Sequence, residues 1–305
     1  MVPIYNKKYN YLMLYVPKAA CCVMRRTYVD FHLEEFTTEQ RLTLQDRKFH
    51  GLAGIHSGNK ITPETFYNTP RFAIVRNPYE RSLSAYYDKF LHLRNKSTWK
   101  TTKLNNLFNL FASTQDLNYL KTLAADDTIH KSNLTFDQYI KTINLDINVL
   151  SIDTSFVKYL EFLNICKINN INSFDEHHDT QSSISNKFSP EKVFKDLKIV
   201  HIENYETELK EAVKDIFNVN DFQKYMNLFK INSTDPATRN ASAKRVTLEI
   251  NGSSLSRDYF IQRMNKEKTI LDTQTMINKH CEELIYNFYK QDFDLFNYTR
   301  RVIVK

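Results

Sequence analysis

Three short apolar runs stand out from an otherwise mixed chain, and each is followed by a stretch with helical spacing. Tyr11–Val16 (YLMLYV) is rich in β formers and is stopped by Pro17, which predicts a buried strand. Ala20–Leu33 follows with helix-compatible spacing, so the first unit reads strand, tight loop, helix. Arg71–Arg76 (RFAIVR) predicts a second buried strand. Pro78 then suits the first turn of a helix over roughly 79–93, where Leu83, Tyr86, Tyr87 and Phe90 recur at helical intervals. A third run, Leu197–Ile202 (LKIVHI), precedes a helix around 206–217. Strands alternating with helices predict an α/β fold built on a parallel sheet with helices against it.

The intervening segments, Phe36–Thr69 and Lys96–Asn133, are polar and less regular, and are expected to be helical or loop insertions. Asn232–Ser256, rich in Ser, Asn and Thr, predicts a mobile loop. Thr273–Tyr289 returns to a helical pattern. No repeat or break in composition calls for a second domain, so residues 1–305 are expected to form one.

Composition narrows the chemistry. Hydrophobic residues make up 42% and aromatics 13%, which fits a globular protein and not a disordered one. The four glycines are Gly51, Gly54, Gly58 and Gly252, and neither G-x-G-x-x-G nor G-x-x-x-x-G-K-[ST] can be written from them. Any phosphate loop must therefore be built without glycine. A net charge of +7 suits an anionic ligand in a basic cleft. The basic residues are dispersed, so nucleic acid is not implied. Cys21, Cys22, Cys166 and Cys281 lack metal-ligand spacing, and a disulfide framework is not expected. The N-terminus has no apolar core of a signal peptide, and no stretch approaches about 18 apolar residues. A soluble, cytoplasmic chain with no transmembrane segment is the expectation.

Ligands of open parallel sheets bind beyond the carboxyl ends of the strands, and two basic segments stand there. The first is Val16-Pro17-Lys18-Ala19-Ala20-Cys21-Cys22-Val23-Met24-Arg25-Arg26. N–H groups at the start of the following helix offer donors and a positive dipole end to a phosphate. Lys18 adds a charge, and Ala19, Ala20, Cys21 and Cys22 are small enough to let a loop wrap an anion. The second runs from Val75 through Arg76, Asn77 and Pro78 to Ser84 and Tyr86. A guanidinium at Arg76 and a hydroxyl at Ser84 together suit a phosphate monoester; an ion pair between Arg76 and Glu80 is the alternative.

The two segments together resemble signatures of the membrane-associated carbohydrate sulfotransferases related to the chondroitin and dermatan 4-O-sulfotransferases (sulfotransferase family 2). Val16 to Arg26 is similar to V-P-K-x-A-C-T-x-x-[KR]-R. Phe72, Val75, Arg76, Pro78, Glu80, Arg81, Ser84, Ala85, Tyr86, Lys89 and Phe90 fit F-x-x-V-R-x-P-x-E-R-L-x-S-A-Y-x-x-K-F. Further matches are Phe136–Ile140, Asp175-Glu176-His177-His178, Tyr205-Glu206-Thr207, and a closing Y-x-x-D-F-x-x-F-x-Y that ends at Tyr298. Cys22 stands where the family usually has Thr or Ser, and His178 where it has Trp. The anchor usual in animal members is not expected here, and a Golgi-lumen location would require that one had been removed.

The resemblance implies a three-layer, P-loop-NTPase-like sheet flanked by helices, and transfer of a sulfuryl group from 3′-phosphoadenosine-5′-phosphosulfate (PAPS) to a hydroxyl of an acceptor. A sugar is the implied acceptor, with a small hydroxylated natural product as the alternative. Lys18 is then the catalytic cation. The loop from Ala19 through Cys22, with Arg25 nearby, holds the 5′-phosphosulfate, and Arg76 and Ser84 hold the 3′-phosphate. No metal is implied. A base must accept the acceptor's proton, and neutral imidazole, with a pKa near about 6.5, suits that task. His56 is the preferred candidate, with His50 and His177 as rivals. A kinase would share the strand–loop–helix layout but needs the glycine-rich loop this chain lacks. A non-catalytic nucleotide- or carbohydrate-binding protein of the same fold is disfavoured by the intact Lys18 and Arg76.

Overall fold

The computed structural model describes residues 1–46, 61–91, 103–125, 153–171, 177–183, 190–234 and 243–303. Within it the chain forms two compact units, one of Met1–Asn77 with Gln181–Ser242, the other of Pro78–Thr180 with Ala243–Lys305.

The first unit is built on a four-stranded sheet in the order β1 (Val2–Asn6), β2 (Tyr11–Tyr15), β3 (Arg71–Val75), β4 (Leu197–His201). β2, β3 and β4 run parallel, as their apolar runs predict, and β1 adds an antiparallel edge through pairs from Val2↔Tyr15 to Asn6↔Tyr11. Pro3 lies in that edge strand, a position where a missing N–H is tolerated. Tyr11, Met13, Phe72, Ile74 and Val200 form a core with Met24 and Tyr28 of the Cys21–Phe31 helix, Leu209 and Val213 of the Tyr205–Val213 helix, and Phe229 of the Val219–Thr234 helix. On a second core, Leu12, Leu14, Ala73 and Leu197 meet Phe66 of the Pro63–Asn68 helix and Val193 of the Pro190–Lys195 helix. Helices therefore cover both faces of the sheet, which is why β2 and β3 read as unbroken apolar runs instead of alternating ones.

Arg71, 3% exposed at the start of β3, ties the second helical layer to the sheet. Its Nη1 donates to the carbonyls of Phe66, Tyr67 and Thr69 at 3.1–3.4 Å, at the end of the Pro63–Asn68 helix. Its Nε and Nη2 donate to Val193 and Lys192 at 3.2 and 3.1 Å. One guanidinium thus satisfies terminal carbonyls of two helices, which otherwise lack intrahelical partners.

In the second unit, the Pro78–Ala85 helix continues into a π-helical turn over Tyr86–Phe90, closed by the Leu91 N–H on the Tyr86 carbonyl at 2.8 Å. The sequence predicts one uninterrupted helix there. The unit also holds the helices Lys103–Thr114, Leu117–Ala125, Phe156–Ile168, Arg257–Glu267, Thr273–Met276 and Lys279–Leu295, with two short parallel strands, β5 (Lys244–Val246) and β6 (Thr269–Leu271). Tyr86, Phe90, Phe156, Tyr159, Phe260 and Tyr289 belong to its aromatic core. The expected mobile loop over 232–256 is corrected by these elements. Asn232 ends a helix, donating to Thr27 Oγ1 at 3.3 Å and Asp30 Oδ2 at 3.0 Å, and Lys244–Val246 pairs in register with Thr269–Leu271. Tertiary bonds override the loop-like composition. Among the described residues no helix is long and apolar enough to cross a membrane.

Replacing Arg71 by Ala strands several buried carbonyls at once, and charge-assisted bonds of this kind are individually worth about 1.5–3 kcal/mol. Arg71→Ala should lower unfolding stability by about 3 kcal/mol in urea titration, and Arg71→Lys, which keeps the charge and loses the fork, by less. A loss under about 0.5 kcal/mol, the range of an ordinary surface change, would contradict this capping role.

Candidate functional site: a glycine-free anion loop

The chain turns from β2 into the Cys21–Phe31 helix without glycine. Lys18 and Ala20 take left-handed backbone angles, with φ of 68° and 55°, at a cost of about 1–2 kcal/mol for a residue with a Cβ. Between them Ala19 is fully buried, and its N–H donates to the Val16 carbonyl at 3.1 Å. Ala20 occupies the helix N-cap, where it offers no side-chain acceptor, and the first turn carries no acidic residue. Some other helices are capped, with Thr62, Asp272 and Asn278 accepting from the N–H groups of Thr65, Thr275 and Cys281, while Ser155 and Asn204 make no such cap. A capping oxygen or an acid would compete with an incoming anion for the same donors and dipole. The uncapped start at Ala20 leaves them to a ligand.

Two cationic side chains frame this loop. Lys18 is half-buried, and its carbonyl accepts from Arg76 Nη1 at 3.2 Å. The residue after β3 thereby reaches the loop after β2. Arg76 itself is held through its backbone: its N–H donates to Gln181 Oε1 at 2.8 Å, and its carbonyl accepts from Gln181 Nε2 at 2.7 Å. Beside it, the Asn77 N–H donates to Glu203 Oε1 at 2.8 Å. Arg25, 2% exposed, braces the loop from within. Its Nε donates to the Cys21 carbonyl at 3.0 Å, its Nη2 lies 3.7 Å from Cys22 Sγ, and its guanidinium lies over the Tyr15 ring at 5.0 Å. Arg26 pairs with Asp30 at 3.5 Å.

His50 and His56 lie outside the described residues, as do Phe136–Ile140, Asp175 and Glu176. His177 is half-buried in the second unit. Its neighbour His178 is fully buried, with Nδ1 2.8 Å from the Tyr159 hydroxyl and its carbonyl accepting from the Tyr289 hydroxyl at 3.2 Å. Arg81 donates to the Asp179 carbonyl at 2.6 Å and lies over the Tyr289 ring at 5.8 Å. The position where the resembled signature has Trp is thus an aromatic socket filled by imidazole. Ser84 is half-buried on the Pro78–Ala85 helix, and Glu80 on the same helix accepts from Arg245 and from Thr273 Oγ1, the latter at 2.7 Å.

Sequence reading passed over two residues near the carboxyl ends of the strands in the first unit. Gln181 gave no signal, because a lone Gln in a polar stretch carries none. His201, at the end of β4, places its N–H and its Nδ1 on Glu208 Oε2 at 2.6 and 2.8 Å. Register pairs His201 with Val75, and β3 separates its strand from β2. It borders Arg76 and not the Lys18 loop.

A family model described as the sulfotransferase family matches residues 3–299. The chain belongs to the sulfotransferase family. No curated protein and no solved structure matches it. Membership makes sulfuryl transfer the class of activity.

Two thiols occupy the first turn of this loop's helix. Cys21 is held well below the ordinary thiol range by a hydrogen bond from Cys22; burial opposes this, while the Arg25 charge, the Lys18 N–H and the Lys18 charge favour the thiolate. Burial pushes Cys166 up to about 12 and Cys281 up to about 11. Because the thiolate is the nucleophile, iodoacetamide at pH 7 should label Cys21 well ahead of Cys166 and Cys281, as read by peptide mass mapping. Labelling of Cys21 that follows the pH profile of an ordinary free thiol would contradict this electrostatic reading.

Proposed function

We propose that the protein transfers a sulfuryl group from PAPS to a hydroxyl of a carbohydrate acceptor, as the chondroitin/dermatan 4-O-sulfotransferase signatures imply. One observation carries the reading: an uncapped, acid-free helix start whose preceding lysine is bonded through its carbonyl to the arginine of the neighbouring strand. Such a donor set fits a doubly phosphorylated nucleotide, because two cations and a row of N–H groups meet two anionic ends. The family match runs through both units, which supports reading residues 1–305 as one catalytic domain.

Bound PAPS would supply the activated sulfuryl group and, in 3′-phosphoadenosine 5′-phosphate (PAP), its leaving group. The chain supplies the rest. Its N–H groups from Ala20 to Val23 hold the 5′-phosphosulfate, with Arg25 and the Ala19–Val16 bond stiffening the turn that presents them. The Lys18 ammonium neutralises charge that gathers on the bridging oxygen as an in-line, loose transition state develops. Arg76 takes the 3′-phosphate, and Ser84 is assigned to the same phosphate by the sequence signature alone. An imidazole accepts the acceptor's proton, with His56 preferred and His50 and His177 the rivals.

These roles separate turnover from binding. Lys18→Ala should cut PAPS-dependent sulfation, read as the mass gain of one sulfuryl group on the acceptor, by about 10²-fold or more, with a much smaller change in PAP affinity. His56→Ala should cut turnover by about 10²–10⁴-fold with PAP affinity intact. Unchanged turnover in Lys18→Ala removes the assignment. Loss of turnover in His177→Ala alone, with PAP binding preserved, transfers the role of base to His177.

A further inference from the structure

Gln181 is fixed to Arg76 by both ends of its carboxamide, and this pairing has a consequence for ligand recognition. Its Oε1 accepts from the Arg76 N–H at 2.8 Å and its Nε2 donates to the Arg76 carbonyl at 2.7 Å. Gln181 is 1% exposed, so these bonds are shielded from competing water. The arrangement copies one rung of a β-ladder with a side chain instead of a strand.

The location of the rung matters. The β3–β4 ladder has its last pair at Val75↔His201, and the β2–β3 ladder at Leu14↔Ala73. Arg76 is therefore the first residue beyond the sheet, where strand pairing no longer sets the backbone. It is also next to the point where the chain leaves the first unit after Asn77, and Gln181 is the residue at which the chain returns. With its backbone clamped, the Arg76 side chain extends from a fixed origin to the carbonyl of left-handed Lys18 at 3.2 Å. The hydrogen bonds thus run from Gln181 to the Arg76 backbone, and from the Arg76 guanidinium to the anion loop.

We infer that Gln181 is a positioning residue for donor recognition, setting Arg76 toward the nucleotide's 3′-phosphate and, through Arg76, holding the Lys18 turn in its left-handed form. This rests on the proposed role of Arg76. A side chain that only filled space at this position would affect stability without affecting which nucleotide is preferred.

The test uses the full chain with Gln181→Met, which keeps the volume and removes both bonds, and Gln181→Glu, which keeps the bond from the Arg76 N–H and loses the one to its carbonyl. Calorimetry compares PAP with adenosine 5′-monophosphate, which differ only in the 3′-phosphate. Hydrogen exchange of the ligand-free protein follows the peptide covering residues 17–23. Gln181→Met should lower the preference for PAP by about tenfold, or 1.4 kcal/mol, and speed exchange in that peptide. Adding Gln181→Met to Arg76→Ala should cost no further preference, since both act through one guanidinium. If Gln181→Met does not fold, Gln181→Glu should show the same two changes, since its carboxylate faces the Arg76 carbonyl with an acceptor in place of a donor. A folded variant that keeps both the PAP preference and the wild-type exchange overturns the inference, as does full additivity with Arg76→Ala. A wild-type protein with no preference for PAP, in which exchange of the loop still rises in Gln181→Met, overturns the role of Arg76 toward the 3′-phosphate and leaves the mechanical coupling standing.

Discussion

A loop that turns from strand to helix without glycine must bend at residues that resist bending, and in the first unit that constraint falls on Lys18 and Ala20. Each left-handed residue there is unfavourable by itself, so the turn persists only because its surroundings over-determine it. Ala19 is buried and bonded back to Val16, Arg25 braces Cys21 from within, and Arg76 holds the Lys18 carbonyl. In the proposed function, the bonds that impose the turn also set the N–H groups and the lysine that meet the donor nucleotide.

In the second unit, the residues that make the signatures conspicuous are largely structural. Glu282, 3% exposed, accepts from the Tyr79 hydroxyl at 2.7 Å and from Arg300 at 2.8 and 2.9 Å. Tyr289 supports both Arg81 and the His178 carbonyl, and Phe293 packs on Tyr79 at 5.2 Å. The closing Y-x-x-D-F-x-x-F-x-Y signature therefore reads as a helix whose Tyr289, Asp292, Phe293 and Phe296 are buried. Its regularity in sequence follows from packing.

What the sequence disclosed and what it hid follow from physical range. β2 and β3 were legible because burial on both faces writes continuous apolar runs, and Lys18 and Arg76 because they stand at the ends of those runs. The helix at Phe156–Ile168 was not picked out, because many of its side chains are buried (Phe156, Tyr159, Leu160, Phe162, Leu163 and Cys166) and little polar contrast marks a face. Left-handed turns at Lys18 and Ala20 gave no sign, since glycine is the usual marker and is missing. Arg71 and Gln181 work through partners more than 100 residues away, and no local pattern carries such pairings. His56, the preferred base, lies outside the described residues, so its role rests on sequence alone.

The central claim is that the Lys18 loop and Arg76 together read a nucleotide phosphorylated at both ends of its ribose. Thermal unfolding of the wild-type protein with PAP or ATP at equal concentration tests it most directly, because a ligand raises the midpoint according to its affinity for the folded state. PAP should raise the midpoint clearly more than ATP does, and Arg76→Ala should abolish that difference. A midpoint raised equally by both nucleotides, or more by ATP, would contradict the claim.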